Sequence, residues 1–213
     1  GYADFGPAGT IAARREIPDL GIVQVDFANG VQLNLKKTDF QAATIVVSAR
    51  LGGGVLTMPA DKPGLDIYAQ SAAGLMGLGK HSVDELRRIL AGRSVGAGFF
   101  VEKDAFLVTG QTTPKDLELQ LQLLAATVSD PGFRPEGERL LRRGMAQYYN
   151  RLQHTPEGVY PLEIARQLAS DDPRFGLPSM ETLERYSMAD VRAWLAPELA
   201  AGPLELNIVG DID

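Results

Sequence analysis

Apolar and polar residues alternate on both sides of Asn29-Gly30 in "LGIVQVDFANGVQLNLKK", the two-residue period of a half-buried strand. Asn-Gly supplies the positive φ angles of a two-residue turn, so this stretch is expected to form a hairpin. "ATIVVSARLGGG" follows as a buried strand, β-branched at its centre and closed by glycines. Ahead of the hairpin, residues 1–19, "GYADFGPAGTIAARREIPD", show no period. They are expected to be an extended lead-in, with one domain over 20–213.

The period then lengthens. Leu65, Tyr68, Ala72 and Met76 recur at helical spacing in "DKPGLDIYAQSAAGLMGLG". Asp61 is placed to cap this helix, Pro63 is tolerated in its first turn, and Gly77 or Gly79 is expected to stop it. Ser82 and Glu85 have capping-box spacing ahead of Leu86, Ile89 and Leu90, which opens a second helix with His81 in the joint. "SVGAGFFVEKDAFLVTGQT" reads as two strands about a tight charged turn, the first thinned by Gly96 and Gly98.

Thr113-Pro114 begins a helix with Leu117, Leu121, Leu124 and Val128 on one face, and Pro131 to Pro135 break it. Residues 136–153 follow as a longer helix striped by Leu141, Met145, Tyr148 and Leu152. Another helix opens at Thr155-Pro156, "DDPRFGLPS" is an irregular connection, and Ser187 with Asp190 opens a short helix through Trp194. "PLELNIVGDID" closes as a strand. Runs of strands and runs of helices, linked by hairpins, predict an α+β domain: a mostly antiparallel sheet with helices packed on one face.

Composition narrows the function. The 213 residues are 45% hydrophobic and 23% charged, enough for a sizeable core, and carry a formal charge of -6. No basic cluster interleaved with aromatics is present, so nucleic acid is not an expected partner. No run approaches the roughly 20 apolar residues of a membrane span. The lack of cysteine removes thiolate nucleophiles and sulfur ligands, leaving His81 and His154 as the only imidazoles. The opening at Gly1, without methionine, is expected of a processed or excised piece.

No catalytic constellation assembles from these residues. His81 and His154 lack a second histidine four residues away, the spacing that puts two ligands on one helical face, and each reads as a surface or capping residue. His81 and Glu85 do have i, i+4 spacing, but the capping box already uses Glu85. The glycines at 52–54 and 92–98 match neither a dinucleotide nor a phosphate loop. Ser71, Ser82 and Ser94 have no nucleophile-elbow context, and Asp171-Asp172 reads as turn chemistry.

The order of segments says more than any one of them. "FANGVQLNLKKTDF", "VVSARLGGG", "PADKPGLDIYAQSAAGLMGLG", "SVDELRRILAGRSVGAGFFVEKDAFLVTGQTTPKDLELQLQLLAATVSDPGF" and "LNIVGDID" together resemble one domain of an insulinase (pitrilysin) type zinc metallopeptidase, the family of the mitochondrial processing peptidases. The resemblance runs from about residue 20 to the end. It implies two homologous halves, each of two similar α+β domains, closing around a chamber for peptides. The first half of such proteins carries H-x-x-E-H on a helix: two histidines bind zinc and the glutamate polarises its water.

Setting "GLDIYAQSA" on that motif puts Ile67 and Ser71 at the histidine positions and Gln70 at the general base. Isoleucine has no lone pair and an amide takes up no proton near neutral pH. The third ligand would fall near Glu136 or Glu138. The resemblance therefore implies the first domain of a non-catalytic half, with no catalytic, metal or cofactor residues of its own and zinc in the partner half. Its implied partners are a catalytic half, in the same polypeptide or a homologous subunit, and peptide substrates held along a strand edge.

The lead-in looks similar to the inter-half linker of bacterial, often periplasmic, members, and "VGDID" precedes one more helix in the family, so truncation before that helix is expected. The alternative is an assembly protein of the same fold, unlinked to proteolysis, which an exposed apolar patch would favour.

Overall fold

The computed structural model describes residues 2, 4–172 and 175–212. Gly1 and Ala3 of the lead-in, Pro173 and Arg174 of the irregular connection and Asp213 of the closing segment lie outside them.

The hairpin forms from β2 (Ile22–Phe27) and β3 (Gln32–Lys37). Its turn differs from the expected two-residue form. The Gly30 N–H donates to the Phe27 carbonyl at 2.9 Å, the Phe27 N–H donates to Val31, and of the Asn-Gly pair only Gly30 takes positive φ, 86°. This is a three-residue loop in which glycine alone carries the left-handed backbone. Ile11–Ile17, within the stretch read as lead-in, form β1, extended and paired antiparallel along β2.

The remaining strands are β4 (Ile45–Leu51), β5 (Gly98–Val101), β6 (Phe106–Thr112) and β7 (Leu204–Gly210). Among the described residues they give a seven-stranded sheet in the order β1-β2-β3-β7-β4-β6-β5. All pairings are antiparallel except β3 with β7. β4 is buried on one face only: Ile45, Val47, Ala49 and Leu51 point into the core, whereas Val46 is exposed.

The helices are α1 (Leu65–Ala73), α2 (Val83–Ile89), α3 (Leu117–Ser129), α4 (Glu138–Gln153), α5 (Ala165–Leu168), α6 (Met180–Glu184) and α7 (Met188–Ala201). α3 lies against β6 and β4, α1 against β5 and α7, and α4 against α1 and α6. The fold is the expected α+β arrangement, with helices covering one face of the sheet. Phe106 is fully buried there, stacked on Phe99 at 5.9 Å and met edge-on by Trp194 at 5.2 Å.

Several boundaries move. α1 begins after Gly64, whose left-handed φ of 84° and approach to Pro178 replace the expected Asp61 cap; Asp61 and Pro63 sit in turns ahead of it. It ends at Gly74, before Gly77. Tyr149, rather than Tyr148, completes the buried stripe of α4. The helix expected at Thr155-Pro156 is instead a 3-10 turn, a π-helical stretch at Tyr160–Ile164 and short α5. α7 runs past Trp194 and through Pro197, because Leu195 is buried and Glu198 accepts the Gly53 N–H at 2.9 Å.

The uncovered face of the sheet carries a polar row, with exposed Val46, Val209 and Phe100 elsewhere on it. Arg15, Gln24, Asn34, Asn207, Ser48 and Thr109 are register partners across six strands. Arg15 donates to Gln24 (2.5 Å), Gln24 to Asn34 (2.8 Å), and Asn34 to both Asn207 and Glu205 (2.9 Å each). Such a row satisfies side-chain groups without needing a covering layer.

Candidate functional site

α1 turns one side inward and one outward. Leu65, Tyr68, Ala69 and Ala72 are fully buried, whereas Gln70 and Ser71 are exposed and Ile67 is half-buried. Helical geometry requires this division, since positions 65, 68, 69 and 72 share one face.

The three outward residues meet different surroundings. Gln70 Oε1 accepts the Val101 N–H at 3.0 Å, taking up one backbone donor of the outer strand β5. Ile67 and Ser71 line an open groove between α1 and α4. Of the two candidate glutamates, Glu138 accepts the Met188 N–H at 2.7 Å, at the start of α7, and lies 3.8 Å from Arg142. Glu136 is exposed beside Arg87 and Arg134.

Zinc takes four ligands from imidazole, thiolate and carboxylate donors. Ile67 offers none, the Gln70 oxygen is committed to Val101, and among the described residues no three His, Cys, Asp or Glu side chains cluster. The residues present do not fit zinc, and no step through a metal can be built on them.

Each histidine has a local contact. His81 meets Tyr2 edge-on at 5.8 Å; the Tyr2 hydroxyl donates to Asp130 at 2.6 Å and accepts the Lys80 N–H at 2.9 Å. Burial, then the bond to Asp130, raises the Tyr2 pKa. The neighbouring capping box forms as expected: Ser82 Oγ accepts the Glu85 N–H, and the Glu85 carboxylate accepts the Ser82 N–H. That bond, followed by the one to the Ser82 hydroxyl, lowers the Glu85 pKa, and the nearby His81 adds a smaller lowering. His154 Nδ1 lies 2.6 Å from the Asn150 carbonyl.

Beneath the outward residues α1 packs into the core. Burial pushes the Tyr68 hydroxyl up to about 12, and this group has no hydrogen-bond partner among the described residues. Tyr149 is likewise raised to about 12 by burial and donates to the Pro178 carbonyl at 2.5 Å. Burial also raises the Asp66 carboxyl.

No protein-family model and no curated protein matches the sequence. Solved structures do match. The periplasmic protease PqqL from Escherichia coli superposes with a TM-score of 0.78 at 21% identity, over 99% of this chain and 23% of that one. A variant of the ferredoxin protease FusC, solved in complex with Arabidopsis ferredoxin, gives 0.76 at 15% identity, over 98% and 23%. The peptidase M16 inactive domain from Pseudomonas fluorescens gives 0.71 at 15% identity, over 91% and 47%.

The fold is that of M16-type peptidase domains. The chain spans about a quarter of the length of the two proteases and about half of the inactive-domain structure.

The groove beside Ile67 and Ser71 was not foreseen in the sequence. Its one local signal is Gly144, a glycine midway along an otherwise strongly amphipathic helix.

Proposed function

We propose that this chain is a non-catalytic unit of a two-half, M16-type zinc peptidase, and that it forms part of the wall around a peptide substrate cleaved on the other half. In this reading Ile67, Gln70 and Ser71 stand where the catalytic half carries its zinc ligands and base. The observation that carries it is the outward face of α1: on an M16-type fold it holds an aliphatic side chain, a hydroxyl, and an amide already bonded to Val101. The polar row on the uncovered sheet face supports a wall that meets unfolded peptide without demanding one sequence.

The test is metal and cleavage together. Zinc content by mass spectrometry after loading and washing, with fluorogenic peptide cleavage on the same sample, is expected to show neither retained metal nor turnover. Mixing with a catalytic M16 half is expected to restore or raise cleavage. One zinc per chain would overturn the assignment of Ile67, Gln70 and Ser71.

A second reading has its own observation. Val159, Tyr160, Ile164, Leu168 and Phe175 are all exposed between residues 159 and 175, and exposed apolar side chains suit assembly with another protein where they form a patch. A chain that associates through this stretch yet leaves a catalytic half unaffected would favour it.

A further inference from the structure

The groove between α1 and α4 has a volume of about 370 Å³ and is walled by Ile67, Ser71, Leu75, Leu140 and Tyr148, with Gly144 in its lining. Leu140 is 57% exposed and Tyr148 42%, so both present apolar surface to whatever enters. Met145, an adaptable side chain, lies beneath.

Gly144 is the informative residue. It sits midway along α4 with a helical backbone, outside the left-handed region that would require glycine. A Cβ built on it meets no atom within 4 Å beyond its own helix. Neither backbone conformation nor packing within the chain demands glycine, and glycine weakens a helix relative to alanine. What the missing side chain does provide is depth in the groove.

One positive charge beside the groove narrows the ligand further. α4 contains Arg139, Arg142, Arg143 and Arg151 against the single acid Glu138, a net of +3 within a chain of net -6. Arg142 is turned away to the Glu184 and Tyr186 carbonyls, while Arg151 lies over the Tyr148 ring at 5.3 Å. Apolar walls with Arg151 at the Tyr148 side fit an apolar side chain with an acidic neighbour.

We infer that this groove binds an extended peptide, seating one apolar side chain against Gly144 while an acidic flanking residue faces Arg151 at the Tyr148 wall. The choice of a peptide as ligand rests on the chamber-wall reading; the location and chemistry of the site rest on the groove alone.

Fluorescence anisotropy with a short fluorescein-labelled peptide, one leucine between glutamates in a glycine-serine background, tests this on the full chain. Gly144→Ala is expected to weaken binding several-fold while raising the melting temperature by roughly 1–4 °C. Gly144→Leu fills the groove and is expected to weaken binding at least tenfold, as is replacing the peptide's leucine by serine. Exchanging its glutamates for lysines is expected to abolish the salt-sensitive part of the affinity.

Unchanged binding by Gly144→Leu would overturn the groove and leave the chamber wall standing, because the peptide would then bind elsewhere on the chain. A lower melting temperature in Gly144→Ala would give the glycine a structural role and remove the central argument. Failure of the wild-type chain to bind would also refute the groove, whereas the chamber-wall reading answers to the zinc and mixing experiment.

Discussion

The two sides of α1 obey different rules within nine residues. Inward, Leu65, Tyr68, Ala69 and Ala72 are fully buried in the main core beside Val191 and Leu195 of α7. Outward, Ile67, Gln70 and Ser71 share little beyond a groove and a strand edge. Core packing fixes the inward pattern, whereas the outward side chains meet only a groove and one strand edge. In this chain the outward side offers amide, hydroxyl and hydrocarbon, none of which suits zinc.

Substitutions along the helix sharpen that contrast. Leu65→Ala is expected to have the largest effect, about 2–5 kcal/mol from lost burial and a residual cavity. Thermal unfolding followed by circular dichroism is expected to show a fall of roughly 5–15 °C. A fall of less than about 2 °C would mean that the inward side matters no more than the outward.

The anchorage ahead of α1 comes next. Lys62 is ion-paired with Asp190, whose carboxyl is held below its usual range, first by that hydrogen bond and then by Ser187. A depressed carboxyl contributes stability above its unfolded value near pH 4 and loses it as pH falls through the folded value. Asp190→Asn is expected to lower the melting temperature at neutral pH, with the gap from wild type narrowing as pH falls below the unfolded carboxyl value and through the folded one. Asp66, raised by burial, works in the opposite sense: its protonation favours the fold as pH falls. A gap that stays constant with pH would separate Asp190 from this linkage.

Gln70→Ala removes the acceptor for Val101 at an exposed position, for about 0.5–1 kcal/mol. Its clearer sign is faster hydrogen exchange at the Val101 amide, and an unchanged rate would show that the bond protects nothing. Tyr68→Phe deletes a buried hydroxyl without a partner, so its melting temperature is expected to equal or exceed that of wild type. Ser71→Ala is expected to stay within about 0.5 kcal/mol in the same denaturation assay.

What could be read in advance was local. The capping boxes Ser82-Glu85 and Ser187-Asp190 both form, because their bonds close within four residues. The inward stripe of α1 was legible for the same reason, as was the hairpin. The glycine that opens α1 was not: Gly64 is required by Pro178, more than a hundred residues away. Tyr148 and Tyr149 both fit the i+3/i+4 spacing of the stripe, and it is Tyr149 that packs into the core and reaches the Pro178 carbonyl. The groove depends on how α4 leans on α1, which no spacing within either helix reveals.

β7 lies between β3 and β4, parallel to one and antiparallel to the other. Its Asn207 bonds Asn34 across 173 residues of sequence. β1-β2-β3 and β4-β6-β5 are therefore two half-sheets that stay apart until their shared middle strand is synthesised. Closing so long a loop is slow, and during that wait β3 and β4 each present a bare edge. A chain stopped before Leu204 would keep both edges open, and supplying the β7 segment as a separate strand is the natural way to rescue it. On the ribosome, then, the sheet is completed from its centre, and the vulnerable interval is the time taken to reach β7.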